Sequence, residues 1–233
     1  MEKVFLIAGK EYPLCENFAH FLEKNGAKVM VTGVQDSSQS QLSYFSWNRS
    51  SAISARSLVL ETETLLGQTD IAFVIFDTEQ YVDSFSKMTM NGISKAMDFL
   101  FIGYFQLIME LVNRFTKLGK GNICFLLKRH PSLADIHKNP KKMDTIPVNP
   151  LLSAAENSFL TFAENLAIKY AQTKIGMQLV DYSGIVNEQE SLYPWLIEYL
   201  DQAFENPELT EKNAAKWITP GKKYSSSWGL FKK

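Results

Sequence analysis

Apolar and polar positions along the chain alternate between two periods. Short, nearly continuous apolar runs of five to seven residues read as buried parallel strands: Val4–Gly9, Lys28–Thr32, Asp70–Phe76, Asn122–Leu127 and Met177–Tyr182. Between them lie segments whose apolar residues recur at helical spacing. Phe18, Ala19, Phe21 and Leu22 mark the first, and Asn25-Gly26 closes it. Ile53, Leu58, Leu60 and Leu65 mark a second over Ala52–Leu66. A third runs from Ile93 to Leu118 and ends at Gly119–Gly121. Its middle, Phe99 to Ile108, is apolar nearly all round, which a helix buried on both sides requires. Phe159, Phe162, Ala163 and Leu166 give one face to Ala154–Tyr170, and Pro194 suits the first position of a last helix to Phe204. Gln35–Ser46 and Asp77–Asn91 read as loops, Lys128–Pro150 as a long basic loop, and Ala215–Ile218 as a last strand.

Strands and helices alternate from end to end with no repeat and no linker. That pattern predicts an α/β fold, one doubly wound, Rossmann-like parallel sheet flanked by helices on both faces, as a single domain over residues 1–233. The organising unit is Lys3–Gly33, a strand, a tight turn, a helix and a second strand, which is how a nucleotide-binding sheet begins.

Composition adds little. Of 233 residues 45% are apolar and the net charge is -1, so nothing in the balance points to nucleic acid or an anionic membrane. Cys15 and Cys124 are expected as buried free thiols. No basic leader segment is evident, and no apolar run reaches the ~20 residues of a spanning helix; Phe99–Met109, bounded by Asp98 and Glu110, comes nearest. These features lead us to expect a cytoplasmic protein.

A set of local phrases, taken in order, resembles the short-chain dehydrogenase/reductase family over nearly the whole chain. They are Thr69-Asp70-Ile71 before one strand, Lys120-Gly121-Asn122-Ile123 before the next, and Ser153-Ala154-Ala155 with Phe162–Ala167 on a helix. Ser183-Gly184 follows a strand, and Trp217-Ile218-Thr219-Pro220-Gly221 lies near the C-terminus. The resemblance implies a dinucleotide site at the first turn. The residues there do not fit the family pattern. The family's three glycines fall on Gly9, Pro13 and Cys15, and Pro13 lacks the N–H that a phosphate loop offers. Tyr12 and Leu14 add bulk, Val74-Ile75-Phe76-Asp77 replaces the family's Asn-Asn-Ala-Gly, and the family's later Asp falls on Asn48. No cofactor is therefore expected; NAD(P) belongs only to the alternative of an active enzyme.

The same alignment carries the family's catalytic set onto unsuitable side chains. Its Asn falls on Leu100, its Ser near Leu127 or Lys128, its Tyr on Leu152 and its Lys on Glu156. A tyrosine acid needs a neighbouring cation, because its ordinary pKa near 10 is too high for work at neutrality; Leu152 donates no proton and Glu156 has the wrong sign. A literal Tyr-x-x-x-Lys, Tyr170 to Lys174, stands about five turns away and reads as a helix terminus. His20, His130 and His137 show no metal-ligand spacing, so no metal is expected.

The expectation is a catalytically degenerate member of the reductase fold. It would be a structural or regulatory subunit of a homo-oligomer, or of a hetero-oligomer with an active relative. The contact is placed on Phe99, Phe101, Ile102, Phe105, Ile108, Phe159 and Phe162, since the resemblance implies a four-helix contact there. The basic loop, with Lys128, Arg129, His130, Lys138, Lys141 and Lys142, is either a solvated loop or a dock for an anionic partner such as a phosphopantetheine arm. Two alternatives stay open: a non-standard NAD(P)-dependent oxidoreductase with Glu156 or Asp77 as acid or base, or a module binding a ligand in the vestigial cleft.

Overall fold

A computed structural model describes residues 3–9, 14–33, 42–85, 89–130, 149–185, 187–205 and 215–221. Six parallel strands form one sheet in the order β3-β2-β1-β4-β5-β6. They are β1 (Val4–Ala8), β2 (Lys28–Thr32), β3 (Ser43–Phe45), β4 (Ile71–Asp77), β5 (Gly121–Lys128) and β6 (Ile175–Asp181). β4 carries seven consecutive buried residues, which a strand covered on both faces demands. The order reverses between β1 and β4, which makes the C-terminal ends of these two strands the topological switch point where sheets of this kind bind ligands.

Alternate side chains of each strand feed two cores. Leu6, Val74, Phe76, Phe125, Leu127 and Leu179 face α2 (Ala52–Leu66), α4 (Gly103–Leu118) and α5 (Pro150–Tyr170). Phe5, Ile7, Val31, Phe73, Ile75 and Val180 face α1 (Leu14–Lys24) and α6 (Tyr193–Glu205). Helices thus cover both faces. The period-two split of the strands explains why each core receives a nearly complete apolar set.

Four sequence expectations are corrected. The 35–46 stretch is not all loop, for Ser43–Phe45 pairs with β2 in register from Met30 to Thr32. Within 77–91, Thr78–Tyr81 forms a short 3₁₀ turn capped by Asp77, and α3 begins at Met90 (Met90–Ala96). Ala215–Ile218 makes a single parallel bridge, Val180 to Ile218, and no strand. The apolar helix is also longer than its sequence pattern. α3, a π-turn at Met97–Ile102 and α4 run on as one helix, Met90–Leu118, of 29 residues. By length and composition it suffices to cross a membrane. Its apolar side is accounted for by the sheet, onto which Leu100, Tyr104, Leu107, Ile108, Leu111 and Phe115 pack fully buried.

Candidate active site at the C-terminal edge of the sheet

Two clusters occupy this edge. The first fills the switch point beside β1. The Gly9 N–H donates to Thr32 Oγ1, and the Thr32 hydroxyl is within reach of the Gly9 carbonyl, both at 3.1 Å. A side chain at Gly9 would meet Cys15 Sγ at 2.8 Å and the Ile75 carbonyl at 3.0 Å, so only glycine fits. The Arg49 guanidinium also donates to the Gly9 carbonyl. It lies 4.8 Å from the centre of the Trp47 ring and about 6 Å from those of Tyr81, Phe99 and Tyr104. Arg49 is only 3% exposed. Gly103 lets α4 approach it, because a Cβ there would stand 2.5 Å from the Arg49 carbonyl. Beneath it the Tyr104 hydroxyl donates to the Ile75 carbonyl at 3.1 Å and pairs with Tyr81 at 2.9 Å. Burial drives the Tyr104 hydroxyl well above its ordinary pKa, so it stays protonated.

The second cluster is ionic and joins the ends of β4 and β5 to α5. Asp77 Oδ1 accepts the Glu79 N–H at 2.9 Å and meets His130 Nε2 at 2.9 Å. Lys128 Nζ lies 3.2 Å from Glu79 Oε2 and 3.8 Å from Asp77 Oδ2. Parallel pairing produces this, since Asp77 stands opposite Lys128 in the β4–β5 register and His130 follows two residues later. Asn149 caps α5 by accepting the Leu151 N–H at 2.9 Å, with Pro150 at the first helical position. From that start Leu152 and Glu156 both point inward, 4% and 8% exposed. Glu156 Oε2 accepts the His130 backbone N–H at 3.1 Å and the Thr78 hydroxyl at 3.3 Å. Burial raises the Glu156 pKa, and these two donors with the nearby His130 and Arg129 charges oppose the rise without cancelling it.

The residues singled out in the sequence divide sharply. Leu100, Leu127 and Leu152 all lie in the core beneath α2, α4 and α5. Glu156 stands at the rim of the same layer. Gly9 and Cys15 are buried in contact; Pro13 and Tyr12 lie outside the described residues. Asn48 is exposed and works in the local turn, its Oδ1 accepting the Ser50 N–H at 3.0 Å. Cys15 and Cys124 are buried, and neither forms a disulfide among the described residues. Tyr170 ends α5, and Lys174 is exposed beyond it. In the basic loop Lys128, Arg129 and His130 each face an acid, Arg129 Nε standing 3.1 Å from Asp181. His137, Lys138, Lys141 and Lys142 lie outside the described residues.

The expected contact surface needs correction. Ile108 and Phe159 are fully buried against this chain's own sheet. Phe99, Phe101, Phe105 and Phe162 are partly covered and Ile102 is 42% exposed. Phe105 and Phe162 stack with ring centres 4.1 Å apart beside an open groove lined by Asn157, Ser158, Thr161 and Asn165.

Sequence reasoning missed Arg49 and the Asp77–His130 pair. A signal for the pair existed, an acid at the end of one strand and a basic run at the end of the next. Arg49 gave none, because an isolated arginine in a polar stretch looks solvated.

No family model and no curated protein matches the sequence. Solved structures match the fold. A short chain dehydrogenase from Bacillus anthracis superposes with a TM-score of 0.62 at 16% identity, over 93% of this chain and 94% of that one. A 3-ketoacyl-(acyl-carrier-protein) reductase from Brucella melitensis gives 0.58 at 16%, over 77% and 75%. A short-chain dehydrogenase from Streptomyces avermitilis gives 0.59 at 15%, over 78% of this chain and 65% of that one, so this chain spans just under two thirds of that protein's length. The fold is that of the short-chain dehydrogenases/reductases. The expectation that no cofactor belongs here is overturned by these neighbours. The Brucella structure is complexed with NADH and another of the same fold has NADPH bound. A dinucleotide is therefore compatible with this architecture.

Proposed function

We propose that this chain, which has the short-chain dehydrogenase/reductase fold, works without that family's proton relay. It acts as a structural or regulatory subunit, associating with a second copy or an active relative through the outer faces of α4 and α5. One observation carries this reading. The positions that the resemblance assigns to Asn and Tyr hold Leu100 and Leu152, buried at 1% and 4%, and the Ser falls near Leu127, buried at 0% in the same apolar core, or the adjoining Lys128. A leucine exchanges no proton, and the Lys position holds Glu156, whose carboxylate is spent on Thr78 and His130. The half-covered Phe105–Phe162 stack supplies the apolar patch for a partner.

The test has two arms. Sedimentation of the purified chain should show a dimer or larger, or a monomer that pairs with an active homologue. NADPH oxidation with a panel of ketones and β-ketoesters should show no turnover above the uncatalysed rate. Robust turnover would sink the proposal.

A second reading is a non-standard NAD(P)-dependent oxidoreductase with Glu156 as the acid. It is favoured by the raised Glu156 pKa and by the NADH-bound neighbour. The readings part on turnover and on whether Glu156→Gln abolishes it; binding of a dinucleotide is common to both.

A further inference from the structure

We propose that Asp77, Glu79 and His130 form a binding site for one divalent first-row transition-metal ion at the edge between β4 and β5. One ligand atom from each of the three side chains lies within 4.8 Å of the other two. The donors are one imidazole nitrogen and two carboxylate oxygens. A nitrogen in the set favours Zn²⁺, Co²⁺, Ni²⁺ or Fe²⁺ over Mg²⁺ and Ca²⁺, which take oxygen. Three protein ligands leave coordination positions for water or a substrate, the pattern of open rather than purely structural sites.

The scaffold beneath these donors is rigid. Asp77 ends a fully buried strand and caps the 3₁₀ turn that carries Glu79. The His130 backbone is held by Glu156, which fixes where its ring begins. Asp77 is 6% exposed, and the His130 side chain 15%, so two of three ligands are already ordered and largely dry.

A positive charge already occupies this position. The Lys128 ammonium sits 3.2 Å from Glu79 and 3.8 Å from Asp77, offsetting one of two negative charges. Lys128 therefore competes with a metal ion for the same carboxylates. Its side chain is 24% exposed, so it can turn toward water when the ion enters. The imidazole then carries its proton on Nδ1, leaving the Nε2 lone pair for the metal. The inference is independent of the lost proton relay, because none of the three ligands belongs to the positions that the resemblance assigns to catalysis.

The competition gives a test that a merely structural ion-pair cluster fails. The metal-stripped full-length protein is titrated with Zn²⁺ by calorimetry and with Co²⁺ by visible absorption, with circular dichroism confirming each variant's fold. One site per chain is expected, with Co²⁺ absorption of a protein-bound ion. His130→Gln should weaken binding by more than about tenfold, since loss of even an outer-shell partner costs roughly that much. Lys128→Met should tighten it by roughly tenfold, since a cation within 4 Å of the carboxylates is removed. Absence of a site for Zn²⁺ and Co²⁺ below millimolar overturns the proposal. So does binding that His130→Gln leaves unchanged, or a Lys128→Met variant that binds no more tightly than the parent.

Discussion

The inner and outer stripes of the α4–α5 helix pair are equally aromatic in sequence and opposite in use. Inward, Phe159 stacks on Phe76 at 4.6 Å and meets Tyr104 and Phe125 edge-on, with no exposure. Outward, Phe105 and Phe162 stack on one another and remain half-covered. The comparison separates two reasons for a greasy helix. One stripe fills a close-packed interior, where every lost atom leaves a void. The other packs on the edge of that interior and stays partly open to water.

The comparison breaks most visibly at Phe159. Phe159→Ala should cost about 3–5 kcal/mol, since it removes a ring from the middle of three aromatic neighbours. Urea unfolding would measure this. A loss under about 1 kcal/mol would mean that the inner stripe is as loosely packed as the outer one.

Gly103 sharpens the comparison at the inner stripe. An alanine in mid-helix ordinarily gains about 1 kcal/mol over glycine. Here the new Cβ would stand 2.5 Å from the Arg49 carbonyl and 2.7 Å from its Cβ. Backbone does not give way cheaply, so Gly103→Ala should destabilise by roughly 1–3 kcal/mol, with a lower thermal midpoint. A stabilised variant would show that Arg49 and α4 are not in close contact.

The outer pair should behave differently. Phe105→Ser with Phe162→Ser removes an aromatic contact worth about 0.5–1.5 kcal/mol and, beyond it, the burial of two partly covered rings, so circular dichroism first confirms that each variant is folded. Association, followed by sedimentation, should fall apart. A double variant that still associates would move the contact elsewhere on the surface.

How far these stripes were legible in the sequence follows from what periodicity measures. It reports which side of a helix is apolar, and it found the helix from Ile93 onward and that over Ala154–Tyr170. It does not say which of two apolar sides meets the chain's own sheet, so Ile108 and Phe159 were assigned to a contact they do not reach. Strand β3 was missed because Ser43–Phe45 is only half-buried at a sheet edge and too short to show alternation. The positions of Leu152 and Glu156 could be read from flanking phrases. Their surroundings could not, because Thr78 and His130 arrive from the segments that follow β4 and β5, 78 and 26 residues away in sequence. Arg49 was illegible for the same reason: its partner, the Gly9 carbonyl, is 40 residues distant.

The smallest expected effect concerns Glu156, one turn after the wholly apolar Leu152 on the inner stripe. Its folded pKa is raised above the unfolded value near 4.5, chiefly by burial. The folded protein therefore binds this proton more tightly than the unfolded chain. Below pH 4.5 the carboxyl is protonated in both states and imposes no electrostatic cost. As pH rises from there through the folded pKa, the folded state must bury a carboxylate, and this group's contribution to stability falls. Glu156→Gln keeps an acceptor for Thr78 and the His130 N–H and carries no charge. Its stability should therefore lack this descending component, and the difference between variant and parent should grow in the variant's favour across that window. Parallel curves for the two proteins, measured by urea unfolding at several pH values, would mean that Glu156 keeps an ordinary carboxylate in a wetter place. The inner stripe would then be sealed only as far as Leu152.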